Sequence, residues 1–248
     1  MDSVTQRLEQ VQARIAAAAS SADRDPTSIR LVAVSKRQPA SAVRIAYAAG
    51  VRDFGENYVQ ELTGKAKELA DLTDLRWHFI GHLQRNKVKV VLQAASVVHT
   101  LDSPELVQEL AKRAPDFPVQ IARRLSFGGR PGDGRLAVLV EVNVGGEAQK
   151  SGCNPEQLPR VLEAIETCPS LHVVGLMTVP PFTEEAEDSR AYFEQLAALR
   201  EKHGGATRLP ELSMGMTLDL EYAIAAGATL VRVGTAIFGE RPLREVLP

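Results

Sequence analysis

Ile29-Arg30-Leu31-Val32-Ala33-Val34-Ser35-Lys36 is short, rich in β-branched residues and stopped by polar ones, with Pro39 just beyond. It reads as a buried strand that ends in a lysine. An amphipathic helix over about 3–20 precedes it, with Val4, Leu8, Val11 and Ile15 at helical spacing. A helix starting near Pro39, a strand over Asp53–Asn57 and a helix through about 70 follow it. Strand Arg76–Gly81 then leads to a basic helix over Gln84–Ala95. After strand Val97–Leu101, Ser103-Pro104-Glu105 opens a helix with a capping residue and a first-turn proline. Strand Leu136–Val144, a helix capped by Asn154-Pro155, strand 171–179 and a helix over 184–203 come next, the last stopped by Gly204-Gly205. A short strand Glu211–Gly215, a helix Leu218–Ala226 and a strand Leu230–Phe238 complete the series.

Strict alternation of strands and helices implies parallel strands joined by helical crossovers. About eight such strands fit one closed (β/α)8 TIM barrel with an extra N-terminal helix, a single domain over 1–248. A doubly wound open sheet is the alternative, but the first strand lacks the GxGxxG turn of a dinucleotide site. The one long irregular stretch, Pro115–Arg135, reads as a surface loop.

Composition removes several function classes. A net charge of −2 leaves no electrostatic footprint for nucleic acid or an anionic membrane. Cys153, Cys168 and the five scattered histidines form no metal-ligand spacing. The charged N-terminus has no apolar signal core, and no stretch is apolar enough to span a bilayer. The expectation is a soluble cytoplasmic protein with free thiols.

Polar residues gather where the strands end: Lys36, Asn57, His82, Thr100 and Asp102, Asn143, Thr178, Ser213 to Thr217, and Gly234-Thr235. In a barrel these share the C-terminal rim, where active sites are built. Lys36 is either a solvated strand end or a desolvated nucleophile with a lowered pKa, able to bond an aldehyde. Gly215-Met216-Thr217 at the end of strand seven and Gly234-Thr235 late in strand eight put glycines beside hydroxyls, near where barrels usually bind phosphate. Asp219 and Glu221 follow in the next turn and would repel a phosphate if they faced it. Arg232 shares a strand face with Gly234 and reads either as an ion-paired core residue or as a fixed cation near a ligand. His78 lies within a strand and reads as a hydrogen-bonded core residue, whereas His82 at the rim is the better ligand contact. Arg85, Lys87 and Lys89 read as a solvated face. A lysine, a phosphate cup and an arginine together describe a pyridoxal 5′-phosphate (PLP) site.

These residues resemble the PLP homeostasis protein family, the YggS-like proteins. The matching segments are Leu31–Lys36, Phe54–Glu61, Trp77–Lys87, Lys150–Gly152, Gly175–Met177, Leu212–Met216 and Val231–Gly239, nearly end to end and in the family's order. The resemblance implies a barrel of the alanine-racemase type, PLP fold type III without the C-terminal β domain. It implies Lys36 as the Schiff-base lysine and places Asn57, Ser213, Gly215, Thr217, Arg232, Gly234 and Thr235 around PLP. It also implies a carrier that buffers PLP and delivers it to apo PLP-dependent enzymes, without robust turnover. Two segments depart from the family's pattern. Thr217-Leu218-Asp219 stands where Ser-Asp-Asp is usual, keeping the hydroxyl, and Asn143-Val144-Gly145-Gly146 replaces Asn-Ile-Ser-Gly.

A PLP-dependent amino-acid racemase is the competing reading, and a Schiff-base aldolase barrel a third. Racemisation needs an acid–base group on each face of the substrate α-carbon. Lys36 serves one face. The tyrosine that resembling racemases bring from a second domain is missing, and Tyr58 after Asn57 reads as a helix-packing residue. The same missing domain makes a monomer the expected state.

Overall fold

The computed structural model describes residues 3–117, 134–147, 149–182 and 185–240. Eight parallel strands close into a barrel in sequence order. They are β1 (Arg30–Val34), β2 (Asp53–Glu56), β3 (Arg76–Phe79), β4 (Val97–Leu101), β5 (Leu136–Glu141), β6 (Leu171–Met177), β7 (Glu211–Ser213) and β8 (Leu230–Val233). Closure is made by β1 against β8, with Val32 beside Arg232. This is the expected (β/α)8 barrel. The expected surface loop over Pro115–Arg135 falls largely outside the described residues.

Side chains alternate across each strand, so every second residue points inward. Val32, Val97, Ala137, Leu139, Val174, Met177 and Leu230 form an inner apolar plug. The opposite faces pack a larger core against the helices, with Phe54, Phe79 and Phe193 completely buried. Burying a side chain of that size contributes about 1.5–3 kcal/mol.

The predicted N-terminal helix is α1 (Val4–Ser21). Leu8, Val11, Ile15 and Ala19 form its buried stripe. A capping box between Ser3 and Gln6 starts it. The crossover helices are α2 (Ala40–Ala48), α3 (Val59–Glu68), α4 (Val88–Val91), α5 (Pro104–Arg113), α6 (Leu158–Glu166), α7 (Arg190–Lys202), α8 (Gly205–Arg208), α9 (Leu220–Ala225) and α10 (Thr235–Phe238). Helix α1 packs on α2, α9 and α10, beside the β1–β8 seam.

Two expected elements are corrected. The basic helix over Gln84–Ala95 is a 3₁₀ turn, Arg85–Lys87, and the single turn of α4. Its run Val88-Lys89-Val90-Val91 is β-branched and a weak helix former. The strand expected over Leu230–Phe238 stops at Val233, and its second half is α10. A continuous apolar run carries no periodicity that separates strand from buried helix.

Candidate functional site

A cavity of about 870 Å³ opens at the C-terminal mouth of the barrel. Lys36, Asn57, Thr217, Arg232, Gly234 and Thr235 all line it. Val179, Pro180, Pro181, Phe182, Met216 and Leu218 add an apolar part to the lining, and Lys150, Glu185 and Asp219 a charged one.

Lys36 lies in the turn after β1, on the inward side shared with Val32 and Val34. That turn is clamped from outside the barrel. Lys65 of α3 donates to the Ser35 carbonyl at 2.6 Å and pairs with Glu56 at 2.6 Å and Glu61 at 2.9 Å. Ser35 donates its hydroxyl to the same Glu56 oxygen at 2.6 Å. Burial outweighs the Lys65 ammonium and lifts the Glu56 carboxyl above its usual range. Arg37 adopts φ +61°, a conformation non-glycine residues rarely hold, and its N–H donates to Glu61 at 2.6 Å. Lys36 thus projects from a backbone fixed on both sides.

Asn57 follows β2 under a tight contact. A side chain at Gly81 would put its Cβ 2.1 Å from the Asn57 carbonyl oxygen, so only glycine lets the two loops cross. The Asn57 amide oxygen is buried without a hydrogen-bond partner. Asn57 lines the cavity, and a buried acceptor without a partner is rare enough to need an explanation.

Thr217, Gly234 and Thr235 of the two candidate cup loops line the same cavity. Gly234 caps α10 and Thr235 is its first residue, so the leading N–H groups of this turn lack intrahelical acceptors. Gly215 holds φ +88°, and its carbonyl accepts from the Arg232 N–H at 2.9 Å. Helix α1 braces both loops: Arg14 donates to the Thr217 carbonyl at 3.0 Å, and Arg7 to the Ile237 carbonyl at 2.7 Å. The two acids that could repel an anion are engaged. Glu221 pairs with Arg14 at 2.8 Å, and Asp219 accepts from the Met216 N–H at 2.6 Å.

Arg232 is buried on β8. It donates to the Ser213 hydroxyl at 2.7 Å and the Thr178 carbonyl at 2.9 Å, both neutral. Its hydrogen-bonding therefore does not follow the ion-paired core reading. Burial lowers its pKa to about 10, with Glu141 and Asp219 opposing the shift. Glu141 ends β5 on the inward face. Burial, then the nearby Asp102 charge, raises its carboxyl to about 7.

Of the remaining sequence candidates, Ser213 sits completely buried beneath Arg232, and Gly215 lies behind the Thr217 loop; neither lines the cavity. His82 is corrected. It is exposed, lies outside the cavity lining and contacts the Ser151 hydroxyl at 3.2 Å. One residue after the Gly81 crossing, the chain has already turned outward. His78 is the buried, hydrogen-bonded residue expected of a strand interior. Three residues at or behind the cavity were not singled out from sequence: Lys150 in the cavity wall, His99 bonded to Ser213 beneath Arg232, and Lys65 behind the Lys36 turn. Lys150 carried a signal, since it opens the Lys150–Gly152 segment; His99 lies inside an apolar strand and carried none.

The profile of the family described as "Alanine racemase, N-terminal domain" matches residues 6–242. The pyridoxal phosphate homeostasis protein of Pseudomonas aeruginosa is 46% identical over 242 residues, covering 97% of each chain. That of Aquifex aeolicus is 43% identical over 95% of this chain and 97% of its own. The chain belongs to the pyridoxal phosphate homeostasis protein family. Among solved structures, PipY of Synechococcus elongatus with PLP bound superposes with a TM-score of 0.75 at 34% identity, over 95% of this chain and 100% of that one. The family match spans every cavity residue named above, from Lys36 to Thr235.

Proposed function

We propose that this protein binds PLP reversibly at Lys36 and hands it to apo PLP-dependent enzymes. The observation that carries the reading is the single cavity shared by Lys36, Arg232 and the Thr217 and Gly234–Thr235 loops. These residues fit the group. Asn57 lines the cavity, and the cup offers N–H and hydroxyl donors; its two acids are hydrogen-bonded to Met216 and Arg14, with Asp219 still at the cavity edge.

When bound, PLP supplies an aldehyde that condenses reversibly with an amine. Lys36 presents that amine from its clamped turn. The start of α10 with Thr235 and Thr217 would hold the phosphate. Arg232, a donor without an acceptor site, would keep the ring nitrogen unprotonated and the ring a weak electron sink. The racemase reading needs a second acid–base group opposite Lys36. Lys150, Glu185 and Asp219 share the cavity with Lys36, and the transfer and racemisation assays below decide between the two readings.

The mouth suits a protein partner. Seven large apolar side chains are exposed among the described residues, and Val179, Phe182, Met216 and Leu218 all border this cavity. We read them as the surface a recipient enzyme covers during transfer. No helix among the described residues is long and apolar enough to cross a membrane. The reading takes the whole chain as one domain, acting as a monomer in the cytoplasm.

Transfer tests this directly. Protein loaded with PLP, then freed of unbound cofactor, should activate an apo-aminotransferase, and Lys36→Ala should not. Steady racemisation of free amino acids by the loaded protein would instead establish the enzyme reading.

A further inference from the structure

A file of buried polar side chains runs down the barrel interior beneath Arg232. Ser213 of β7, His99 of β4, His78 of β3 and Asp53 of β2 follow one another across the lumen. The links are Arg232 Nη1 to Ser213 Oγ at 2.7 Å, Ser213 Oγ to His99 Nδ1 at 3.0 Å, His99 Nε2 to His78 Nδ1 at 2.8 Å, and His78 Nε2 to Asp53 at 2.8 Å. At the far end Arg76 grips Asp53 with two bonds of 2.7 and 2.6 Å.

The two ends fix the direction of every bond between them. Ionised Asp53 only accepts, so His78 carries its proton on Nε2 and accepts at Nδ1. His99 must then donate from Nε2 and accept at Nδ1. That leaves the Ser213 proton pointing at His99 and its oxygen lone pairs facing Arg232, which only donates. Burial favours the neutral form of both histidines, as this pattern requires. Stability alone does not call for the file. Neighbouring inward positions are filled by Val97, Leu139 and Leu230, and an apolar substitute for buried charge is often neutral or stabilising.

We propose that His78 and His99 are positioning residues for Arg232: their fixed tautomers make Ser213 an obligate acceptor, which locks the guanidinium with its donor edge toward the ring nitrogen of a pyridine ligand. The inference rests on the PLP reading for its ligand and on the geometry of this chain for its relay.

The relay is testable before any ligand is added. Long-range ¹⁵N–¹H correlation spectra at pH 7 should show both histidines neutral and protonated on Nε2. A His99 protonated on Nδ1 would overturn the proposal. Binding then separates positioning from packing. The probes are pyridoxine 5′-phosphate, which lacks the aldehyde, and its benzene analogue, which also lacks the ring nitrogen. His99→Leu should weaken the pyridine probe roughly tenfold, the loss of one hydrogen bond to a charged group, and leave the benzene probe unchanged. His99→Asn, whose amide oxygen can replace Nδ1 as acceptor, should recover most of that loss. Equal weakening of both probes, or of neither, would overturn the relay. Ser213→Ala, a smaller change, makes the same comparison if His99→Leu does not fold. If the wild-type protein binds neither probe, the PLP reading fails, and the ligand half of this inference fails with it.

Discussion

Glu141 shows how a single buried side chain couples the site to pH. Its carboxyl rises from 4.5 to about 7 because burial disfavours the ionised form and Asp102 adds repulsion. Between those values the folded chain holds a proton that the unfolded chain has lost. Stability therefore falls as pH rises from about 4.5 to about 7, by about 3 kcal/mol in all. Glu141→Gln should leave the melting temperature at pH 5 nearly unchanged and raise it at pH 8; equal shifts at both would refute the assignment. Lys65 makes the opposite case. Its ammonium balances Glu56 and Glu61 and holds the Ser35 carbonyl, so Lys65→Met strands a buried carboxylate. Removing one partner of such a pair costs about 3–5 kcal/mol. Denaturant unfolding should show that loss, and weaker PLP binding should accompany it because the Lys36 turn loosens.

At the scale of elements, α1 braces the two loops proposed to hold the phosphate. Arg14 reaches the Thr217 carbonyl and Glu221 together, across a half-exposed surface. Arg14→Ala should therefore cost only about 0.5–1 kcal/mol of stability. Calorimetric titration should still show weaker binding of a phosphate-bearing ligand, with the non-phosphorylated pyridoxal unaffected. Gly215→Ala should be harsher. Its φ of +88° is strained for alanine, and the new Cβ would lie 2.5 Å from that of Ala223. A melting temperature unchanged by that substitution would contradict the described loop.

Element boundaries divide what could be read from sequence and what could not. Strand β4, Val97–Leu101, and the start of α5 at Ser103-Pro104 match the reading to the residue, since a proline after a cap is a local signal. Gly234 and Thr235 were assigned to a strand, yet belong to the start of a helix. Both line the cavity, and their N–H groups are available because a helix starts there, not because a strand ends. His82 failed for a related cause: it is one residue past a strand end, and sequence position cannot say when the chain leaves the rim.

In the whole molecule, the eight-fold alternation was legible because each unit repeats the same period switch, and closure follows from that count. The interior polar file was not, because Asp53, His78, His99, Ser213 and Arg232 come from five strands that only barrel closure brings together. This file sets an acid limit. His78 and His99 are held neutral by burial, and Asp53 is held ionised by Arg76 and His78 against its own burial. Histidine pKa values below the ordinary 6.5 mean that the unfolded chain takes up protons first, so stability is lost as pH falls below about 6.5. Equilibrium unfolding should show that acid limb, and His99→Asn should flatten it.

The central claim is that Lys36 bonds PLP in this cavity. The purified protein with PLP should show a visible absorption band that borohydride abolishes, and peptide mass analysis should find the pyridoxyl group on Lys36. A protein that develops no such band with PLP, or that carries the reduced group on another lysine, would contradict it.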